Sequence, residues 1–229
     1  MLLHGKKYRA VLEKVKKPVY TLAEASALIK EISPSKFDAT VEVHVRLNLD
    51  PKRSDQQLRT TVALPNGTGK TKRIVAFVND EDIKGAKEAG VIEAGNEALI
   101  EKVKNGWTEF DIAIAHPDLM KELAKIGKIL GTKGLMPNPK AGTVSADIVK
   151  TVKELMAGRV EIKLDPSAIV HTVAGKVSFD AKKIEENVRA VLEAINTNKP
   201  NGVKGVYIKS IALASTMGPG LNIDLSEAK

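Results

Sequence analysis

The sequence predicts an α/β protein of two domains, one inserted in the other, and three changes of texture along the chain predict it. From Ala39 to Leu64 apolar and polar side chains alternate, the period of strands with one buried face. From Arg73 to Ala157 the chain instead carries short unbroken apolar runs separated by helical stretches, the pattern of βαβ units around a parallel sheet. From Arg159 the alternation returns. A parallel α/β domain, 68–158, set into an outer domain made of 1–67 plus 159–229, accounts for this order. The boundaries fall near Gly67 and Gly158, and such glycine-bearing sites tolerate insertion.

Each element has its own signal. Lys6 to Lys17 places basic residues around Tyr8, Val11, Leu12 and Val15, a short amphipathic helix. "TLAE" is a capping box with Thr21 as N-cap and Glu24 reaching back, so a helix runs to about Ile32 and Pro34 stops it. Val41, Val43, Val45, Leu47 and Leu49 then alternate with Thr40, Glu42, His44, Arg46 and Asn48 in a strand. "LDPKRSDQQ" turns into a second strand ending at Leu64. "RIVAFV" (73–78) and "FDIAIA" (110–115) read as strands buried on both faces, with a short strand "VIEA" between them. Helices are expected near 80–89, 96–105, 117–130 and 146–157. "RVEIKL" and "IVHTVAGKVSF" suggest an antiparallel pair joined at Asp165-Pro166. A helix over 181–196, a strand "VYIKSIALAS", a turn "TMGPG" and a last strand "LNIDL" complete the order.

Composition bounds the chemistry. A chain 43% hydrophobic and 28% charged is globular rather than disordered, and no apolar run approaches the roughly 20 residues of a membrane span. The N-terminus has no export-signal pattern, which makes the cytoplasm the default expectation. The absence of cysteine excludes disulfides, thiolate metal sites and a cysteine nucleophile. A net charge of +8, most of it outside the central stretch, favours a polyanionic partner. Aromatics are only 3%, so contacts to RNA must lean on phosphate, sugar and shape rather than on a stacking platform.

Gly69-Lys70-Thr71 matches the end of a phosphate loop, but Leu64 stands where its first glycine belongs and a strand follows instead of a helix. A flexible crossing between domains fits better. His4, His44, His116 and His171 show no metal-ligand spacing, and His171, near Lys176, is placed to donate to a phosphate or sugar. After "RIVAFV" comes "NDED" rather than GxGxxG, so the central domain has the texture of a nucleotide fold without its chemistry. No nucleophile elbow or catalytic carboxylate pair stands out, and no cofactor or metal is expected. Lys36 and Phe37 precede the first strand, and Ser215, Thr216, Met217 and Gly218 end a later one. They are either a solvated sheet edge with an ordinary turn or a surface that reads RNA shape.

Three stretches, "KFDATVEVHVRLNLDPKRSDQQLRTTVALPNGTGK", "GKILGTKGLMPNPKAGTV" and "STMGPGLNID", resemble the signatures of the bacterial large-subunit ribosomal protein L-one family of stalk proteins. The likeness runs from "GKKY" near the N-terminus to about residue 224. It implies an outer split β-α-β sandwich, of the ferredoxin or RRM kind, as the main RNA binder, and a Rossmann-like insert that holds no nucleotide. It implies a non-enzymatic protein that binds the stalk region of 23S rRNA in the large ribosomal subunit. The mobile stalk so formed acts in release of exit-site tRNA, and the protein represses its own operon mRNA; when free it is expected to be a monomer. The alternative is an enzyme of a nucleotide or phosphometabolite using the central domain.

Carried onto this chain, the RNA surface comprises Lys36, Phe37, Thr40, Glu42, Ser210, Thr216, Met217 and Gly218, with His171, Lys176 and Ser178 nearby. The loop "GTKGLMPNPKAGTV" becomes a stiff basic finger whose Lys133, Gly134, Pro137 and Lys140 give auxiliary contacts. The family commonly has GPRG where this chain has Gly131-Thr132-Lys133-Gly134, and lysine keeps the charge without the forked donors of arginine.

Overall fold

The computed structural model describes residues 5–200, 202–203 and 205–228. Helix α1 (Lys6–Leu12) buries none of its own residues, although Val11 and the following Val15 lean on the core. Helix α2 (Leu22–Glu31) starts at the capping box: Thr21 Oγ1 accepts the Glu24 N–H at 3.3 Å, and the Glu24 carboxylate accepts the Thr21 N–H at 3.3 Å. Its buried Leu22, Ala25, Ser26 and Ile29 recur at helical spacing. Strands β1 (Thr40–Leu47) and β2 (Arg59–Ala63) follow, with a single 3-10 turn at Ser54–Gln56 between them.

The central stretch holds β3 (Ile74–Phe77), α3 (Ile83–Glu88), β4 (Glu93–Gly95), α4 (Glu97–Lys104), β5 (Ile112–Ala115), α5 (Met120–Leu123), α6 (Gly127–Thr132) and α7 (Ile148–Met156). The chain returns with β6 (Arg159–Lys163), β7 (Ile169–Lys176), α8 (Ala181–Thr197), β8 (Ile208–Ser215) and β9 (Gly220–Ile223). Two compact units result, Met1–Gly69 with Gly158–Lys229, and Lys70–Ala157. No helix among the described residues is long and apolar enough to cross a membrane.

In the first unit β7, β1, β8 and β9 form one antiparallel sheet in that order. Strands β7 and β8 both run against β1 and so run parallel to each other, with α8 linking them and β1 between: a split β-α-β unit. The alternation of β1 sends Val41, Val43, Val45 and Leu47 into a core shared with α2 and α8, which buries Ile184, Val188, Val191, Leu192 and Ile195. The opposite face carries Thr40, Glu42, His44 and Arg46.

The second unit is a three-layer arrangement around the parallel sheet β4-β3-β5. All four residues of β3 are buried. Val75 and Phe77 pack with Leu99 and Val103 of α4 and with Leu123 and Leu130. Ile74 and Ala76 pack with Ala86 of α3 and with Ile148, Val152 and Leu155 of α7. Helices on both faces explain why these strands read as unbroken apolar runs.

Three expectations need correction. β6 and β7 are not a ladder: β6 pairs with β2, β7 pairs with β1, and only one bridge, Leu164 to Val170, joins them. Apolar alternation shows which face of a strand is buried but not which strand lies beside it. The helix expected over 117–130 is four short pieces, with 3-10 turns at Pro117–Leu119 and Ala124–Ile126. Leu119, Leu123, Ile126 and Leu130 keep the buried spacing of a helix, but Ile126 leaves helical dihedrals at φ −105° just before Gly127, a weak helix former. Strand β4 covers only the end of "VIEA".

Gly158 and Gly67 meet backbone to backbone. A Cβ on Gly158, whose φ is +108°, would lie 2.5 Å from Gly67 Cα. Behind this crossing Asn187, fully buried on α8, accepts the Asn66 N–H at 3.1 Å. Its amide donates to the carbonyls of Gly67 (3.0 Å) and Ala174 (2.7 Å).

Candidate nucleic-acid interface

Because β1 and β8 are antiparallel, the start of one lies beside the end of the other, and this brings residues far apart in sequence to one end of the first unit's sheet. Thr40 and Thr216 hold each other: Thr216 Oγ1 accepts the Thr40 N–H at 3.2 Å and donates to the Thr40 carbonyl at 3.3 Å, while the Thr216 N–H bonds that carbonyl at 2.9 Å. Lys176, opposite Thr40 on β7, donates to Thr40 Oγ1 at 3.0 Å and to the Asp38 carbonyl at 3.4 Å. Asp38 in turn accepts the N–H of Ser178 at 3.0 Å and its hydroxyl at 2.9 Å. Lys36, Phe37 and Ser178 are exposed on the segments that flank this end.

After Thr216 the chain turns sharply, and the Gly218 N–H bonds the Ser215 carbonyl at 2.8 Å. Met217 occupies the left-handed region at φ +67° and is 75% exposed. A side chain at Gly218 would collide with Ser215 Oγ and crowd the Ile32 carbonyl. The left-handed conformation costs a non-glycine residue about 1–2 kcal/mol, and such strain gathers at functional sites. Met217→Gly is therefore expected to raise the stability of the first unit by about 0.5–1 kcal/mol, read from the urea midpoint, although it removes an exposed apolar side chain.

Along the same face Glu42 stands one row further, opposite Val173 and Ala214, and His44 is paired directly with His171. The two rings meet Nδ1 to Nδ1 at 2.7 Å. His44 is held below the usual histidine value by burial and by the His171 ring, against the pull of Glu42. Asp165 is held below the usual carboxylate range by the N–H groups of Ile169 (2.6 Å) and Ser167 (2.9 Å), and by His171. Ser210 is exposed on this face but beside Arg46, six residues from Thr216 along β8 and so about 20 Å from it. The structure thus gathers Thr40, Lys176, Ser178 and Thr216–Gly218 at one end and leaves Ser210 at the other. Asp38 joins the cluster and His44 lies two rows along the same face, and neither is assigned to the RNA surface from the sequence. Asp38 carried no pattern beyond its place just before a strand, and the partner of His44 lies more than a hundred residues away.

In the second unit Lys133 and Gly134 are exposed, and Lys133 Nζ donates to Thr108 Oγ1. Pro137 is buried, which corrects its reading as a surface contact: its ring stiffens the loop from within. The side chain of Lys140 and all of His4 lie outside the described residues. Thr143 closes the loop by accepting the Asn138 N–H at 2.8 Å. Among the described residues no group of three histidines or carboxylates is placed to hold a metal ion.

The match to known proteins decides what kind of molecule carries this surface. The model of the ribosomal protein L1p/L10e family matches residues 29–219. The chain belongs to that family. It is similar to the large ribosomal subunit protein uL1 of Protochlamydia amoebophila, 54% identical over 91% of this chain and 89% of the relative. It is also similar to the proteins of that name from Chloroflexus aggregans, at 51% over 97% and 95%, and Thermus thermophilus, at 47% over 96% and 97%. Membership makes the chain a structural ribosomal protein rather than an enzyme, so the nucleotide-enzyme alternative is set aside.

Proposed function

We propose that the open face of the first unit's sheet, centred on the Thr216–Gly218 turn, binds the stalk region of 23S rRNA in the large ribosomal subunit. The observation that carries this reading is the strained, exposed Met217 beside the Thr40–Thr216–Lys176 cluster. An exposed apolar side chain stands at the same sheet end as the Thr40 and Thr216 hydroxyls and the Lys176 cation, and Gly218 lets the turn pack against Ser215. That combination suits ribose and phosphate recognition better than base stacking. Lys36, Phe37 and Ser178 extend it at the same end, Glu42 and His171 line the adjacent rows, and Ser210 reaches RNA further along. Family membership and the net charge of +8 support the same partner.

In this reading Lys133 and Gly134 make secondary contacts to the rRNA arm. The stalk so formed acts in release of exit-site tRNA, and the same surface represses the protein's own operon mRNA by binding an imitation of the rRNA site. The experiment is a titration of the full chain with a 23S stalk fragment at two salt concentrations. Thr216→Val is expected to weaken binding by about 1–3 kcal/mol with the salt slope unchanged, since a positioning hydroxyl is lost and no charge is. Wild-type affinity in a folded Thr216→Val protein would remove this turn from the binding surface.

A further inference from the structure

We propose that His44 and His171 act as one proton-binding site on the RNA face, taking up a single proton when a nucleic-acid phosphate approaches. The inference rests on the RNA-binding reading above.

The hydrogen-bond inventory of the row leads to it. At 2.7 Å one Nδ1 must carry a hydrogen and the other a lone pair. His171 Nε2 lies 3.5 Å from Asp165 Oδ2, an acceptor only, which places a hydrogen on that nitrogen. Neutral His171 then has a bare Nδ1, and His44 supplies the Nδ1–H between the rings. Neutral His44 is left with a bare Nε2, 3.9 Å from the Glu42 carboxylate. A lone pair facing an acceptor is the mismatched contact in the row. A proton on His44 Nε2 corrects it and completes a run of carboxylate, imidazole, imidazolium and carboxylate. A second proton would put hydrogens on both Nδ1 atoms and break the bond between the rings. The pair therefore accepts one proton and resists two.

The surroundings define the charge balance. On β1 the neighbours on this face are Glu42 and Arg46; on β7 and its preceding turn they are Lys176 and Asp165. On β8 the residue opposite His44 is Ala212, flanked by Ala214 and Ser210, with the exposed Lys209 at the bulge near the strand's start. Asn222 of β9 continues that row without charge. Burial and the facing ring hold His44 below the usual histidine value, which favours its neutral form in the free protein. A phosphate close to the rings opposes that effect and raises the bound value. Binding then takes up a proton. The gain in affinity is absent above the bound value, grows between the two, and is complete below the free value.

The test is fluorescence anisotropy of the full chain with the stalk fragment from pH 8 to 5.5 at constant ionic strength, for wild type, His44→Gln and His171→Gln. Wild-type binding is expected to tighten about three- to tenfold, with no more than one proton taken up, and both variants are expected to lose most of that dependence. Imidazole 15N spectra of the free wild type, which need no variant, should show the two rings titrating as a coupled pair. Binding that is independent of pH, variants that keep the wild-type slope, an uptake of two protons, or two independent titrations would each overturn the proton site and leave the RNA reading standing. Absence of binding at every pH would overturn both.

Discussion

Gly158→Ala is expected to destabilise the first unit by about 3 kcal/mol, with a matching fall in its urea midpoint. Two causes add. The φ of +108° is one an L side chain rarely adopts, which alone costs about 1–2 kcal/mol. The new methyl would also meet Gly67 Cα at 2.5 Å, Gly67 C at 3.2 Å and Thr68 N at 3.3 Å. All three are backbone atoms, so no side chain can swing away, and the Leu64 N–H bond to the Gly158 carbonyl lies in the path of any shift. Gly202→Ala separates the causes, because its φ is +87° but its Cβ would enter open space. It is expected to cost about 1 kcal/mol. Equal losses in the two variants would show that the Gly67–Gly158 contact relaxes freely.

Asn187→Ala is expected to cost about 2–4 kcal/mol in the same measurement. The side chain is fully buried and satisfies one backbone N–H and two carbonyls from two segments, Asn66–Gly67 and the end of β7 at Ala174. Truncation strands those groups away from water, at about 1–3 kcal/mol for each one left unpaired. Asn187→Leu, which restores volume without polarity, is expected to recover little. A loss below about 1 kcal/mol in both would mean that water or relaxed backbone replaces the amide.

Much of the fold was legible because its signals are local. The alternation in β1 and the unbroken runs in β3 and β5 reflect one-sided and two-sided burial, which a strand records in its own residues. The Thr21–Glu24 box is likewise complete within four positions. Pairing is not local. Nothing in "RVEIKL" points to β2 as its neighbour, and the turn that separates it from β7 looks like a hairpin until the register is seen. The breaks within 117–132 escaped because their buried leucines keep helical spacing whatever the backbone bonds do. Pro137 misled by its setting in a glycine-rich, basic stretch that looks exposed throughout.

The residues proposed to bind RNA divide in the same way. Met217 and Phe37 stand out in the sequence as apolar residues beside small polar groups and lysines, but the left-handed backbone of Met217 is a property of the folded chain, because methionine has no preference for it. The Thr40–Thr216 clasp and the His44–His171 pair join residues more than a hundred positions apart, and no spacing rule reaches that far.

Strands β2 and β6 are antiparallel neighbours, with Ala63 opposite Arg159 and the Leu64 N–H bonded to the Gly158 carbonyl. They are a hairpin in which the entire second unit stands where a short loop would suffice. Joining Gly67 directly to Gly158 in place of residues 68–157 leaves the three-residue loop Pro65-Asn66-Gly67 to close that ladder, and keeps the backbone groups that Asn187 holds. Pruned in this way, the gene would encode a miniature of the first unit alone, and the same position offers a socket into which foreign domains could be grafted.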